Sequence, residues 1–240
     1  MSPLIIPIAI EWVILVTTLA PMVLIGRFNR NPRLGLTLWF LTLLTAGAAS
    51  ALALSVAIGS ILSTYVALQA NPIGSNSWLL AIVASFAPWL ILAIAGISLA
   101  LVNQRLAPFV AQANLLTPLL SAAARPVFKF EGIQVSEIDL PVFIALAGRN
   151  SILISGSALA GLQQQELDAV LWHEVGHIRG RHNHLKQLAG FVHTLSPWFA
   201  ASRALIAEVD RLAEIDADRF ALRHVDAAVL TAAHSKFTSS

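Results

Sequence analysis

Cysteine is absent from the 240 residues, and charge is scarce: Asp, Glu, Lys and Arg together make 12%, against about a quarter in ordinary globular domains. Without cysteine there are no disulfides and no thiolate metal ligands, so any metal site has to use histidine and carboxylate. The absence also fits a reducing compartment. The missing charge is unevenly distributed. Between Arg33 and Arg105 there is not one Asp, Glu, Lys or Arg. A fold bathed in water needs charged faces every few turns, so a gap of that length predicts lipid contact. Setting aside Arg27, Arg30 and Arg33 among the 15 basic residues and Glu11 among the 13 acidic ones leaves an even balance from Arg105 onward. The formal +2 and the pI near 9.5 therefore come from one loop. No basic face exists, which excludes a nucleic-acid partner.

What is abundant is apolar: 57% of residues, with a mean hydropathy of +0.74. Three apolar stretches, 4–25, 36–58 and 78–102, are each long enough to span a bilayer as a helix. The first lacks a basic residue ahead of it and is too long for a cleaved leader, so it is expected to stay as a span. It contains Glu11, an ionisable residue that belongs either to function or to the headgroup level beside Trp12. The second runs on apolar to about 70. The third contains Pro88 and follows an uncharged loop at 71–77. Basic loops stay on the cytoplasmic side. With Arg27, Arg30 and Arg33 inside, three spans deliver Arg105 and everything after it to the cytoplasm. This predicts a multi-pass protein of the plasma membrane with the bilayer as a partner. Residues 1–104 form the anchor and 105–240 a cytoplasmic domain.

Beyond Arg105 the pattern changes. Residues 106–124 read as an amphipathic helix or a linker along the membrane. Residues 127–135 alternate like a strand, 142–147 and Ser151–Ser155 read as two more, and Gly148-Arg149-Asn150 as a hairpin turn between these two. A sheet of about three strands is expected. Ser157 begins a short helix, and residues 163–166 lead into a longer one with Leu167, Val170, Leu171 and Val175 on its apolar face. Arg179, Gly180 and Arg181 signal its end.

That helix carries Leu171-Trp172-His173-Glu174-Val175-Gly176-His177. Two histidines four apart project from one helical face about 5–6 Å from each other and can share a metal ion. Glu174 then points beside the metal, where a general base for an activated water belongs. A charged amphipathic helix at 208–225 would bring acidic groups back to the histidines, with Glu214 as the candidate third ligand and Asp210 and Asp216 as rivals. Asp216 lies on a different helical face from Glu214. Asp218, at i+4 from Glu214, shares its face and either supports a ligating histidine or pairs at the surface with Arg211 or Arg219. The stretch 187–207 is apolar enough for a fourth span, but that would place Glu214 across the membrane from His173. A hairpin bending near Pro197 is expected instead. His182 and His184 fall off the ligand face and are expected at a polar surface or interface. His193 and His224 are candidates for oxyanion stabilisation that no spacing places at the site.

The run ILISGSALAGLQQQELDAVLWHEVGHIRGRHNH, followed by EVDRLAEIDAD, resembles the membrane metallopeptidases of the antibiotic-sensing BlaR/MecR type. A wider similarity to the HtpX and CAAX-processing membrane proteases lies in the E-x-x-A-D pattern, Glu214-Ile215-Asp216-Ala217-Asp218. The resemblance covers roughly 127–224. It implies a zincin-like α+β peptidase domain behind the three transmembrane helices, so that the whole is a mainly α membrane protein. It further implies that Glu214 is the third zinc ligand beside His173 and His177, and that Asp218 steadies the site from behind. The sensors' further span and penicillin-binding domain have no counterpart in these residues, so β-lactam sensing is not expected.

Together these readings predict a Zn2+-dependent membrane endopeptidase that hydrolyses membrane-associated or regulatory proteins at the cytoplasmic face. Glu174 would act as general base, and a regulatory membrane partner remains open. The competing class is a non-proteolytic signalling or scaffold protein with a structural or decayed zinc site. Substrate is expected to add as a strand at a sheet edge, for which Ser151–Ser155 is the candidate.

Overall fold

The computed structural model describes residues 23–70, 124–195 and 200–238, with Pro197 and a few positions between 8 and 20 besides. Helix α1 (Pro32–Ala70) is followed by strands β1 (Arg125–Phe130), β2 (Ile133–Ile138), β3 (Ala145–Ala147) and β4 (Ser151–Ser155). Helices α2 (Gly156–Gly161), α3 (Gln164–Arg179), α4 (His182–Leu195), α5 (Ala200–Ala221) and α6 (Ala227–Thr238) complete the described chain.

The expectation of three transmembrane helices is not met: among the described residues no helix is long and apolar enough to cross a membrane. The stretch 78–102, the loop 71–77 and the expected domain boundary at 104/105 lie outside the described residues, as do Glu11 and most of 4–25. The stretch 36–58 falls inside α1, where its first turns pack against protein while Leu41, Leu44, Leu52 and Ile58 are exposed. Leu36 and Trp39 are buried with Leu205, Val209 and Leu212 of α5 and Ala189 of α4. The hydroxyls of Thr37, Thr42, Thr45 and Ser55 donate to carbonyls of the same helix. Apolar surface leaves water as readily into a protein core as into lipid, and an uncharged run does not distinguish the two.

The arginine loop has partners as well. The Gly26 N–H donates to Glu208 at 3.4 Å. Arg211 donates to the Asn29 side chain, Arg219 to the Arg30 carbonyl, and Arg33 to Asp216. These contacts dock the loop and the start of α1 on α5, Arg33 through its guanidinium and Arg30 through its carbonyl. The cytoplasmic orientation that rested on the arginines as a topology signal has no support.

The sheet has four strands in the order β1-β2-β4-β3. What reads as one strand at 127–135 is a hairpin, because Glu131 (φ 48°) and Gly132 (φ 78°) both take left-handed backbone, as a type I′ turn requires. Strand β2 runs parallel to β4, and β3 antiparallel to it. The expected turn at 148–150 closes through the Gly148 N–H and the Ser151 carbonyl, 2.7 Å apart. Strand β4 is therefore paired on both sides and cannot accept an added substrate strand. The edge on that side is β3.

Helix α3 sits at the centre of the molecule. A capping box starts it, the Gln163 N–H donating to Glu166 at 2.8 Å. Leu167, Leu171 and Val175, spaced by four, pack on Val135, Ile152 and Ile154 of the sheet. Ala169 and Val170 meet Ala221 of α5 and Leu230 and Ala233 of α6. The remaining face carries His173, Gly176 and His177 toward α5. Gly176 makes that approach close: a Cβ there would lie 2.9 Å from the Ala217 Cα. The bend expected near Pro197 falls between α4 and α5, which pack side by side.

Candidate metal centre

His173 and His177 project from adjacent turns of α3, and their Nε2 atoms stand 3.0 Å apart. Glu214 comes from α5, with Oε2 at 3.3 Å from His173 Nε2 and 3.4 Å from His177 Nε2. Two imidazole nitrogens and a carboxylate oxygen facing one another at this range need something positive between them. Zinc–ligand bonds of about 2.0–2.1 Å in tetrahedral geometry put neighbouring ligands about 3.3 Å apart. These three separations therefore fit one small cation, and the donor set is the His/carboxylate combination that a cysteine-free chain requires.

Behind each ligand stands a second residue. Asp218 Oδ1 lies 2.8 Å from His173 Nδ1, so the i+4 spacing that puts Glu214 and Asp218 on one face of α5 brackets a single imidazole. Burial alone would lower the His173 pKa, but the bonds to Asp218 and Glu214 outweigh it and carry it up to about 9. Lys186 donates to the far oxygen of Glu214 at 2.9 Å. The bonds from His173 and His177, with Lys186 adding to them, hold that carboxyl far below the usual range although burial opposes. Glu174 is buried beside the histidines, and burial pushes its pKa up. A backbone hydrogen bond from Ala147, on edge strand β3, works against that rise.

All five residues expected at the site, His173, Glu174, His177, Glu214 and Asp218, lie together. The rivals of Glu214 do other work. Asp210 sits 3.5 Å from Lys186, and Asp216 faces away from the three donors toward Arg33 and His182. Asp218 meets His173, not Arg211 or Arg219. His193 lies near Ser202 at 3.4 Å, and His224 stacks flat on Trp172 with centroids 3.6 Å apart. Neither joins the donors.

Two histidines depart from expectation. His184 is exposed as expected, but His182 is fully buried, with Nδ1 at 3.0 Å from His177 Nδ1. In a continuous helix a residue five positions on would point elsewhere. The chain reaches this contact because α3 stops at Gly180 and Arg181 takes a left-handed φ of 52°. Burial, and next the neighbouring His177, lower the His182 pKa to about 4. His234 of α6 stands over His173, ring centroids 5.1 Å apart, and lies 3.7 Å from Asp218. With His173 and Asp218 it forms a second group of metal-capable atoms. No sequence spacing links α6 to the motif, so nothing pointed to it.

Residues 110–201 match the profile of Peptidase family M48. This supports a metallopeptidase of the M48 family. The matched stretch contains His173, Glu174 and His177 and ends before Glu214, so the donors on α5 stand on geometry alone. The chain is also 30% identical over 102 residues to a protein named Protease HtpX homolog from Thermoplasma acidophilum, covering 40% of this chain and 32% of that one. It thus spans about a third of that relative's length. Neither likeness bears out the antibiotic-sensor type of the resemblance.

Proposed function

We propose that this chain is a zinc-dependent endopeptidase acting on polypeptide substrates. One observation carries the reading: donors from two helices converge at zinc-ligand spacing with a buried glutamate beside them, within or close behind a stretch that matches a peptidase family. His173, His177 and Glu214 would hold the metal, which when bound supplies Lewis-acid activation of a water and polarisation of the scissile carbonyl. Glu174 accepts the proton that the attacking water gives up and returns it to the departing amide nitrogen. The hydroxyl ends on the acyl carbon and the hydrogen on the amine. The raised pKa of Glu174 suits this double duty, because a group that must take and release a proton near neutrality works best when its pKa is drawn toward that range.

The substrate backbone would lie along the outer edge of β3 as an added antiparallel strand. Ala147 there already turns its N–H toward Glu174 and its carbonyl toward Asn183. Structural zinc sites fill four positions with protein ligands. Three donors converge here among the described residues, leaving a position for water, which favours catalysis over a scaffold role.

The test is zinc content and peptide cleavage of the purified full chain. The wild type is expected to hold near one zinc, lost in Glu214→Ala and kept in Glu174→Gln. In Glu174→Gln, cleavage falls by about 10²–10⁴-fold. A wild-type protein that takes up neither zinc nor another divalent metal would overturn the reading.

A further inference from the structure

The two ligating histidines are braced differently. His173 rests directly on a carboxylate, whereas behind His177 there is another imidazole, then a carboxylate, then a guanidinium. His177 Nδ1 is 3.0 Å from His182 Nδ1. His182 Nε2 is 3.2 Å from Asp216 Oδ2. Arg33, in the first turn of α1, donates from Nε to both oxygens of Asp216 at 3.2 and 3.0 Å. His182 is fully buried and Asp216 nearly so.

The donor inventory gives this chain a direction. Asp216 faces the Arg33 guanidinium and can only accept, so the proton on neutral His182 sits on Nε2. His182 Nδ1 is then a bare lone pair, and the contact with His177 holds only if His177 Nδ1 carries a hydrogen. That leaves His177 Nε2 unprotonated and aimed at His173 and Glu214, the form a metal ligand requires. We propose that Arg33, Asp216 and His182 form a positioning relay that fixes the tautomer and orientation of His177, making the first turn of α1 part of the metal centre.

Two local features make the relay reachable. Arg181 accepts a left-handed backbone that a non-glycine residue adopts at a cost. Gly180 leaves the room that the His182 ring occupies; a Cβ at 180 would run into that ring. A histidine that merely faced solvent would need neither.

The inference rests on the zinc reading, and its test separates the two. Zinc affinity of the full chain is measured by competition with a chromophoric chelator, with the melting temperature of each metal-free protein alongside. Asp216→Asn preserves shape but lets an amide N–H face His182 Nε2. That reverses the relay and leaves His177 protonated on the wrong nitrogen. Zinc affinity is expected to fall by about 10–100-fold. His182→Leu should fall with it. His182→Gln, whose amide can accept from His177 and donate to Asp216, should recover most of the affinity. A purely structural role would not separate the last two variants. If Asp216→Asn and His182→Leu bind zinc like the wild type, the relay is wrong while the zinc reading stands. If the wild type binds no zinc, both fall.

Discussion

Glu166 shows at the scale of one residue how much of the molecule hangs on a single carboxylate. It closes the capping box of α3 and also takes a 2.6 Å bond from Lys236 of α6. The Lys236 bond is the main reason its pKa falls below the usual 4.5, followed by the Gln163 N–H. A carboxyl with a depressed folded value adds stability above its unfolded pKa, and that stability is lost as pH drops through the folded value. The melting-temperature gap between the wild type and Glu166→Gln should be full at about pH 6 and shrink steadily below about pH 4.5. A gap that stays constant on acidification would refute the assignment. At the same scale, Lys186 frees one oxygen of Glu214 for the histidines by occupying the other. No spacing rule singles out Lys186, because its partner lies on another helix.

The helix pair α3 and α5 is the element on which the site depends. His173 and His177 ride on one, Glu214 and Asp218 on the other, and Gly176 against Ala217 sets the gap between them. Glycine inside a helix ordinarily costs about 1 kcal/mol relative to alanine. At 176 it returns more, since even a methyl group would meet backbone. Gly176→Val should therefore destabilise by about 1–3 kcal/mol through overpacking. It should also lower zinc uptake by prising Glu214 from the histidines. Calorimetry and metal analysis check both, and a normal zinc content in a stably folded Gly176→Val protein would show that the gap is not set there.

At the scale of the whole molecule, the metal would stitch two helices that are otherwise joined by packing and by the His173–Asp218 hydrogen bond. An ion that binds the folded chain at a hundredfold over its Kd adds about 2.7 kcal/mol. For a chain of this length that corresponds to a rise of about 5–10 °C in melting temperature. Chelation should remove that increment from the wild type and leave Glu214→Ala unmoved. An equal response in both proteins would place the metal elsewhere. Helix α1 shows the other side of long-range organisation. Its apolar run reads as a span, yet Leu36 and Trp39 go into the core with α4 and α5. Arg33, which reads as part of a topology signal, grips Asp216 of α5.

The local features were legible because they depend on neighbours within a few residues. The HEVGH spacing, the Gly180 stop, the turn at 148–150 and the shared face of Glu214 and Asp218 all follow from helix and turn geometry that the chain carries in its own order. Contacts between distant segments were not legible. Hydropathy reports that a surface must leave water but not what will cover it, so 36–58 reads as a span although Leu36 and Trp39 within it are covered by protein. A periodic reading assumes a continuous helix, so the left-handed turn at Arg181 that swings His182 beneath His177 was invisible. The register of α5 on α3 decides which acid meets the histidines and sends Asp216 to the relay. Packing around a glycine fixes that register, and only the tertiary structure decides it.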